Sequence, residues 1–480
     1  MNRRMVFYMI GQIIKLEAAV LLLPALVALL YGESCLWAIL ATAAVALAVG
    51  FALTLISRPR SQVVYAREGF VIVALSWLAL SAVGALPFFI SGEIPSYVDA
   101  FFETVSGFTT TGASILTNVE AMSHGLLFWR SFTHWIGGMG VLVLIMAIVP
   151  SVSGRNMHIL RAEMPGPVVG KLMPRIRDTA KILYIIYLVM TAVEILLLLA
   201  GGMPLFDSII HSFGTAGTGG FGIKADSIAS YSPYLQWVIG IFMLLFGVNF
   251  NLYYLILIRQ AKTAFKSREL WLYTAVVVGA TAVIACNIAP LYDGCEETGR
   301  TALFQVSSIT TTTGYATADF DLWPGLSKGI LLVLMFIGGC AGSTAGGLKV
   351  SRIQLLLSTV KRDQRRLLHP RSVGVIKMEG KRLVEAAISC TTAYFILYFM
   401  LCAIGCLLLC FEPISVETNL SAMAACFNNV GPGFDLVGPA ASYAGYSPFS
   451  KLILTFAMLF GRLEIYPLLF VLIPSTWTKK

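Results

Sequence analysis

Four short runs of Thr, small residues and Gly interrupt an otherwise apolar chain. They are TTTG at Thr109 to Gly112, AGTGG at Ala216 to Gly220, TTTTGY at Thr310 to Tyr315, and NNVGPG at Asn428 to Gly433. If Gly112, Gly219, Gly314 and Gly431 are equivalent, the runs recur at intervals of roughly 100 residues. A recurrence of this regularity indicates an internal repeat. Each run lies between two apolar segments long enough to cross a bilayer, so the pattern predicts four copies of a helix, re-entrant loop, helix unit.

Composition places these units in a membrane. The chain is 57% hydrophobic and 12% charged with a mean hydropathy of +0.81, which is too apolar for a soluble domain of 480 residues. The net charge of +9 comes from Lys and Arg concentrated in alternate loops, at residues 57–69, 153–181, 258–269 and 349–382 and at both chain ends. This positive-inside pattern predicts that both termini are cytoplasmic and that the four runs open toward the outside, and we expect no nucleic-acid partner.

The hydropathy pattern predicts an all-α polytopic membrane protein with an N-terminal helical hairpin and four pseudo-symmetric repeats around one central pore. The expected ranges are 1–67 for the hairpin and 68–178, 179–267, 268–380 and 381–480 for the repeats. Together they would contain ten full spans and four half-helices. The N-terminal segment has no small-residue cleavage site after its apolar core, so we interpret it as a retained span.

The runs suggest a specific chemistry. Non-helical backbone at membrane depth leaves carbonyl groups unpaired, at several kcal/mol each, unless something binds them. A dehydrated cation is such a partner, because Gly allows the backbone angles that turn successive carbonyls toward an axis and Thr adds hydroxyl oxygens. A single run of this kind is usually only a turn, but four in register favour an ion pathway. Glu103 and Asp207, on the helices leading in, would attract cations or cap helix ends.

The returning segment of each repeat is broken by small residues, at IGGMG (136–140), FGVNFN (246–251), GGCAGSTAGG (338–347) and FGRLE (460–464). Ten residues of Gly, Ala, Ser, Thr and Cys should not hold a continuous helix, so the third break predicts a loop at Gly338 to Gly347 that faces protein or a water-filled cavity. It is not a phosphate-binding loop, because Leu348 separates Gly347 from Lys349.

Arg462 is a cation near the centre of the last span, where insertion costs about 2.5–3.5 kcal/mol. We expect it to face the pathway and to donate to carbonyls of the Gly338 to Gly347 loop, raising a barrier to cations. The alternative is an ion pair buried in the helix bundle.

The four runs, the third break and the ending FGRLEIYPLL resemble the Trk/Ktr/HKT superfamily of potassium transporters, specifically its bacterial TrkH type, along essentially the whole chain. The resemblance implies a potassium-uptake subunit of the bacterial inner membrane that carries K⁺ and Rb⁺ as substrates, needs no cofactor and is not an enzyme. It also implies a homodimer in the lipid bilayer, with a nucleotide-binding TrkA-type regulatory subunit on its cytoplasmic face.

The resemblance also assigns residues. The implied potassium-binding selectivity filter consists of Thr110, Thr111, Gly112, Ala113, Gly217, Thr218, Gly219, Gly220, Thr312, Thr313, Gly314, Tyr315, Asn429, Val430, Gly431 and Pro432. The implied gate consists of Gly338, Gly339, Gly342, Ser343, Thr344, Gly346, Gly347 and Arg462. Gly at all four central positions favours potassium over sodium.

The sequence argues against two other classes of function. An alternating-access symporter should have inverted repeats, whereas these repeats share one orientation. A membrane enzyme needs convergent His, Asp, Cys or Ser groups, and none are evident. The sequence leaves open the sodium to potassium ratio, ion coupling, the regulatory ligand and whether Cys286 and Cys295 form a disulfide.

Overall fold

The computed structural model of the chain describes residues 1–59, 65–140, 176–372 and 374–478. Most of these residues are α-helical, as expected where lipid offers backbone groups no hydrogen bonds. In chain order the helices are α1 (Arg3–Val20), α2 (Leu22–Tyr31), α3 (Cys35–Ile56), α4 (Ala66–Gly84), α5 (Leu86–Ile90), α6 (Tyr97–Phe108), α7 (His124–Gly138), α8 (Ile176–Ala200), α9 (Leu205–Gly217), α10 (Pro233–Phe246), α11 (Phe250–Leu257), α12 (Ala261–Ala264), α13 (Arg268–Ile288), α14 (Cys295–Thr310), α15 (Gly325–Ile337), α16 (Val350–Leu368), α17 (Glu385–Leu409), α18 (Val416–Phe427), α19 (Pro448–Arg462) and α20 (Tyr466–Leu472). The all-α fold class is confirmed.

A small antiparallel hairpin on the segment between α16 and α17 was not predicted. It pairs β1 (Lys377–Met378) with β2 (Lys381–Arg382). Gly380 in its turn has φ +78°, a conformation that Gly adopts readily. Most of the basic segment at 153–181, up to residue 175, and the C-terminal Lys479 and Lys480 lie outside the described residues.

The N-terminal segment forms the expected helical hairpin. Helices α1 and α3 approach closely where Gly11 faces Gly50, and a Cβ added to Gly11 would lie 2.9 Å from the carbonyl oxygen of Gly50. Small residues at such a crossing let two membrane helices pack backbone against backbone.

Six helical segments of the described chain are long and apolar enough to cross a membrane: Arg3–Tyr31, Cys35–Ile56, Arg67–Ile90, Asp178–Ala200, Arg268–Leu291 and Glu385–Leu409. A seventh is formed by α10 and α11 together, but it bends by 90° at its break. The predicted return of the first repeat, at about 125–150, runs beyond the described residues, so the count of ten full spans stays a prediction.

The returning segments are interrupted, as their small residues predicted. Helix α7 ends at Gly138, α15 ends at Ile337, and a short break separates α19 from α20. In that last break Glu464 and Ile465 have φ of +58° and +67°, which a regular helix does not contain.

Candidate functional site

A short helix leads into each of the four runs. These helices are α6, α9, α14 and α18, with 12, 13, 16 and 12 residues, too short to span a bilayer. Ser96 and Ser415 cap the first and the last, accepting hydrogen bonds from the amides of Asp99 and Thr418 at 3.4 and 3.1 Å. The C-terminal end of each helix, which carries partial negative charge, meets its run.

The four runs share one backbone conformation where their helices end. A residue with left-handed φ, between 55° and 57°, follows each helix: Thr110, Thr218, Thr312 and Asn429. The amide of the next residue bonds back to the carbonyl five positions earlier, in the pairs Thr111 to Ser106 (2.9 Å), Gly219 to Gly214 (2.8 Å), Thr313 to Ser308 (2.8 Å) and Val430 to Ala425 (2.8 Å). This is the bond that closes a Schellman C-cap, so these residues are structurally equivalent.

That equivalence corrects the alignment of the second run. Two residues after each left-handed residue comes a Gly with φ between 77° and 98°: Gly112, Gly220, Gly314 and Gly431. The prediction that Gly219 is the equivalent of Gly112, Gly314 and Gly431 was wrong by one position, because the equivalent residue is Gly220. The stretch that corresponds to Thr312–Tyr315 is therefore Thr218–Phe221. The sequence offers two consecutive Gly there, and only the backbone angles distinguish them. The first to fourth loops are hereafter residues 109–113, 217–221, 311–315 and 428–432.

The loops pack against one another in a closed ring. A Cβ added to the positive-φ Gly of any loop would come within 3.0 Å of a carbonyl oxygen in the next: Gly112 meets Gly219, Gly220 meets Thr313, Gly314 meets Val430, and Gly431 meets Thr111. The four carbonyls belong to equivalent residues, and the sequence of contacts returns from the fourth loop to the first. Only Gly fits at these four positions, because of both the space and φ.

Side chains at the left-handed positions point polar atoms into buried space. The hydroxyl oxygen of Thr110 and the Oδ1 of Asn429 are buried and have no hydrogen-bond partner among the described residues. The Nδ2 of Asn429 is held by Thr111 Oγ1 and the Met458 carbonyl, both at 2.9 Å. Both oxygens belong to the kind of ligand that binds a dehydrated cation.

Two tyrosines support the outer ends of the ring. The Tyr315 hydroxyl lies 3.1 Å from the carbonyl oxygen of Phe221 in the second loop. The Tyr443 hydroxyl donates to the Gly431 carbonyl at 2.7 Å, and its amide donates to the Ser114 carbonyl at 2.9 Å. Tyr443 lies beyond the fourth run among residues with no recognisable motif, so no sequence pattern indicates it.

A cavity of about 320 Å³ opens beside the ring. All four positive-φ Gly contribute to its lining, together with Arg130 and Tyr443. Within the part of the chain that the structure describes, no group of three or more His, Cys, Asp or Glu is placed to hold a metal ion.

The Gly338 to Gly347 segment is a loop, as predicted, and it faces protein. On one side it touches the ring, since the Gly346 amide donates to Thr312 Oγ1 at 2.6 Å and the Gly347 amide to the Asn428 carbonyl at 3.1 Å. On the other side it fills the break between α10 and α11, where the Cys340 amide donates to the Gly247 carbonyl at 2.9 Å.

Arg462 makes the expected contact with this loop. Its Nη1 donates to the Thr344 carbonyl at 2.9 Å, and its Nη2 donates to the carbonyls of Gly137 and Gly138, the latter at 2.7 Å. The Glu464 carboxylate bonds to Arg352 at 2.5 Å.

A second cation, Lys349, was missed as part of this region. It is 3% exposed, has φ +70°, and donates through Nζ to the Ala345 carbonyl of the same loop. Lys349 and Arg462 line one small cavity of about 50 Å³ together with Gly346 and Glu464. The sequence signal is the position of Lys349, which lies two residues after Gly347 at the end of the Gly-rich segment.

Asp207 lies in the first turn of α9, as expected for a residue at a helix end, whereas Glu103 lies in the interior of α6. Glu103 is fully buried and paired with Arg130, and Asp207 accepts a hydrogen bond from the Tyr231 hydroxyl at 2.8 Å. Cys286 and Cys295 are both exposed free thiols, so the structure shows no disulfide between them.

An acidic contact supports the outer side of the fourth loop. The carboxylate of Asp321 accepts a hydrogen bond from the Asp435 amide at 3.0 Å. Burial, with the nearby carboxylates of Asp319 and Asp435, raises the pKa of Asp321 to about 6. Hydrogen bonds from the Thr418 and Ser415 hydroxyls lower the pKa of Asp435.

The fold is that of a polytopic α-helical membrane protein of the re-entrant-loop class. Its defining features are the spanning helices, the four half-helices and the closed ring of non-helical loops. Residues 36–278 and 296–478 match the TrkH family model, described as cation transport protein. The chain belongs to this TrkH family, which confirms the resemblance seen in the sequence. Membership of a transport family also confirms that it is not an enzyme.

Relatives match over the full chain. The Trk system potassium uptake protein TrkH of Salmonella typhimurium is 39% identical, over 99% of this chain and 100% of that protein. The Trk system potassium uptake protein TrkG of Escherichia coli is 32% identical, over 99% and 98%. The crystal structure of the potassium transporter TrkH from Vibrio parahaemolyticus superposes with a TM-score of 0.89 at 34% identity and covers both chains completely.

Proposed function

We propose that this chain is a potassium-uptake subunit that conducts K⁺ and Rb⁺ through the ring of four loops. The observation that carries the proposal is the closure of that ring, in which equivalent carbonyl oxygens of four loops meet equivalent Gly residues. The names of its relatives, potassium uptake proteins with 32–39% identity, agree with it.

The physical argument concerns what such a ring binds. Four short helices end at the loops, so the negative ends of their dipoles converge there, which favours a cation. Carbonyl and hydroxyl oxygens replace the hydration shell of a potassium ion. The unpartnered oxygens of Thr110 and Asn429 supply further acceptors on the buried side of the ring.

The proposed filter has four equivalent stretches, with the second moved by one residue from the expectation. They are Thr110–Ala113, Thr218–Phe221, Thr312–Tyr315 and Asn429–Pro432. Gly217, included earlier, becomes the last residue of the second short helix.

We infer that the Gly338 to Gly347 loop closes this pathway below the filter, with Arg462 and Lys349 as cations beneath it. The loop supports this role because it bonds directly to the third and fourth loops. A membrane potential of 100 mV, negative inside, is worth about 2.3 kcal/mol per charge, which is sufficient to drive uptake without catalysis.

The proposal includes the setting of the protein. It places the chain in a bacterial inner membrane with both termini in the cytoplasm, as a homodimer of four-repeat subunits regulated by a TrkA-type subunit. The basic C-terminal half of α16 would lie on the cytoplasmic face, available to that partner or to anionic lipid headgroups.

The test is rubidium uptake into liposomes that contain the purified protein and are preloaded with potassium. Uptake blocked by external potassium but little affected by sodium supports the proposal. Because a closed gate would hide this activity, the same measurement is made on Gly346→Ala. An added Cβ there would lie 2.5 Å from the Asn428 carbonyl and push the loop away from the filter. No flux from either protein would contradict the proposal.

A further inference from the structure

Arg130 and Glu103 form a buried ion pair directly beside the first and second loops. Arg130 on α7 donates from Nε to Glu103 Oε1 at 2.6 Å, with side-chain exposures of 4% and 0%. Burying two charges is unfavourable unless the geometry is good and the remaining donors and acceptors are satisfied. The other contacts of this pair therefore indicate what the pair does.

Glu103 holds the chain that leaves the first loop. Its carboxylate accepts hydrogen bonds from the Ser114 hydroxyl at 2.9 Å and from the Ile115 amide at 3.0 Å. Since Glu103 itself lies on α6, the carboxylate joins the helix that enters the first loop to the segment that leaves it.

Arg130 holds the corresponding part of the second loop. Its Nη1 donates to the Gly222 carbonyl at 3.0 Å, and its guanidinium carbon lies 3.5 Å from the centroid of the Phe221 ring. Phe221 is fixed from other directions as well, because its ring packs on His134 at 4.1 Å and its carbonyl accepts from Tyr315.

The guanidinium suits this position. Its planar fork donates in two directions while its face stacks on an aromatic ring, which a lysine ammonium cannot do at the same time. One side chain therefore connects the first loop, through Glu103, to the outer end of the second loop.

We propose that Arg130 and Glu103 are a positioning pair that fixes the spacing between the first and second loops and thereby sets the preference for potassium over sodium. The inference rests on the proposed function. A carbonyl cage discriminates by the size, number and stiffness of its oxygen ligands, so a loop that can shift or soften will accept the smaller ion more readily.

The test uses Arg130→Lys, which keeps the charge opposite Glu103 but loses the fork and the stacking. The matched control is Asp99→Asn. Asp99 pairs with Lys451 at 2.7 Å. It lies near the start of α6, the helix that carries Glu103, and is remote from the end of α6 that enters the first loop. Two quantities are measured: competition of sodium and potassium for rubidium uptake in liposomes, and the rise in Tm that each ion gives the purified protein.

We expect Arg130→Lys to retain uptake while sodium competes at least threefold better relative to potassium, with a matching loss of the potassium-specific rise in Tm. Asp99→Asn should keep the wild-type ratio. A role in general stability would lower Tm and uptake in Arg130→Lys without altering the ratio, and that result would overturn the inference.

If Arg130→Lys does not fold, a second variant tests the same inference. Phe221→Leu keeps the ion pair but removes the ring that Arg130 contacts, and it must show the same change in ion preference. A wild-type ratio in Phe221→Leu would also overturn the inference. Wild-type protein without potassium-selective uptake or potassium-specific stabilisation would contradict the proposed function itself, whereas a selective wild type with unaltered variants contradicts only the positioning pair.

Discussion

The amide of Gly346 donates a hydrogen bond to the side-chain oxygen of Thr312 at 2.6 Å, and both residues are buried. Gly346 belongs to the loop proposed as the gate, and Thr312 is the left-handed residue of the third loop in the proposed filter. The two parts therefore share a hydrogen bond. Displacing the gate loop must release an oxygen of the filter.

Thr312→Val tests this link. Valine keeps the shape but leaves the Gly346 amide without its acceptor, and an unmade buried hydrogen bond costs about 1–3 kcal/mol. We expect the closed state to be destabilised and basal rubidium flux to rise about tenfold, the factor that corresponds to about 1.4 kcal/mol.

Thr110→Val is the matched control for Thr312→Val. Thr110 occupies the equivalent position in the first loop, but its hydroxyl has no hydrogen-bond partner among the described residues. It should change ion affinity without raising basal flux. Equal increases in flux from both variants would mean that the hydroxyl acts on the ion and not on the gate.

Arg462→Gln should raise cation flux in the absence of a regulatory partner. The substitution removes a positive charge from the proposed pathway and the donors to the carbonyls of Thr344, Gly137 and Gly138. Arg462→Lys separates the two effects, because it keeps the charge but loses the planar fork that reaches several carbonyls at once. Flux in liposomes is the measurement, and a basal flux unchanged in Arg462→Gln would remove this residue from the gate.

Gly314→Ser should abolish potassium preference. Gly314 has φ +87°, and a Cβ would collide with the Val430 carbonyl of the fourth loop. Gly329→Ser on α15 is the control, since nothing lies within 4 Å of a Cβ there. Sodium and potassium competition for rubidium uptake distinguishes them. Retained potassium preference in Gly314→Ser would show that the ring tolerates displacement of this carbonyl and does not select.

Much of this arrangement could be predicted because apolar length and Gly content report directly on it. The short helices, the breaks in the returning segments and the Arg462 contact with the Gly-rich loop follow from which residues a helix in lipid can contain. These features depend on the residue types at particular positions, which a single sequence displays, since a cation in lipid must find acceptors whatever their distance in the chain.

The features that were missed depend on backbone angles and on contacts distant in sequence. Gly219 and Gly220 are adjacent and chemically identical, so only φ reveals which one corresponds to Gly314. The Arg130 contact with Gly222 joins residues 92 positions apart, and no periodicity signals it. Such contacts require the packed structure.

The acidic contact at Asp321 predicts a pH dependence of stability. The pKa of Asp321 is raised from 3.8 to about 6, first by burial and then by the carboxylates of Asp319 and Asp435. Because the neutral form is favoured in the folded protein, this residue stabilises most below its ordinary pKa, and its contribution is lost as pH rises from about 4 through about 6. Asp321→Asn keeps an oxygen that can accept from the Asp435 amide but cannot ionise. The Tm of the purified variant should therefore vary less between these pH values and exceed that of the wild type at neutral pH. Asp435→Asn provides a contrast of opposite sign, because hydrogen bonds lower the pKa of Asp435 and its contribution is lost as pH falls. A wild-type slope of Tm against pH in Asp321→Asn would show that this carboxylate is not the group that titrates.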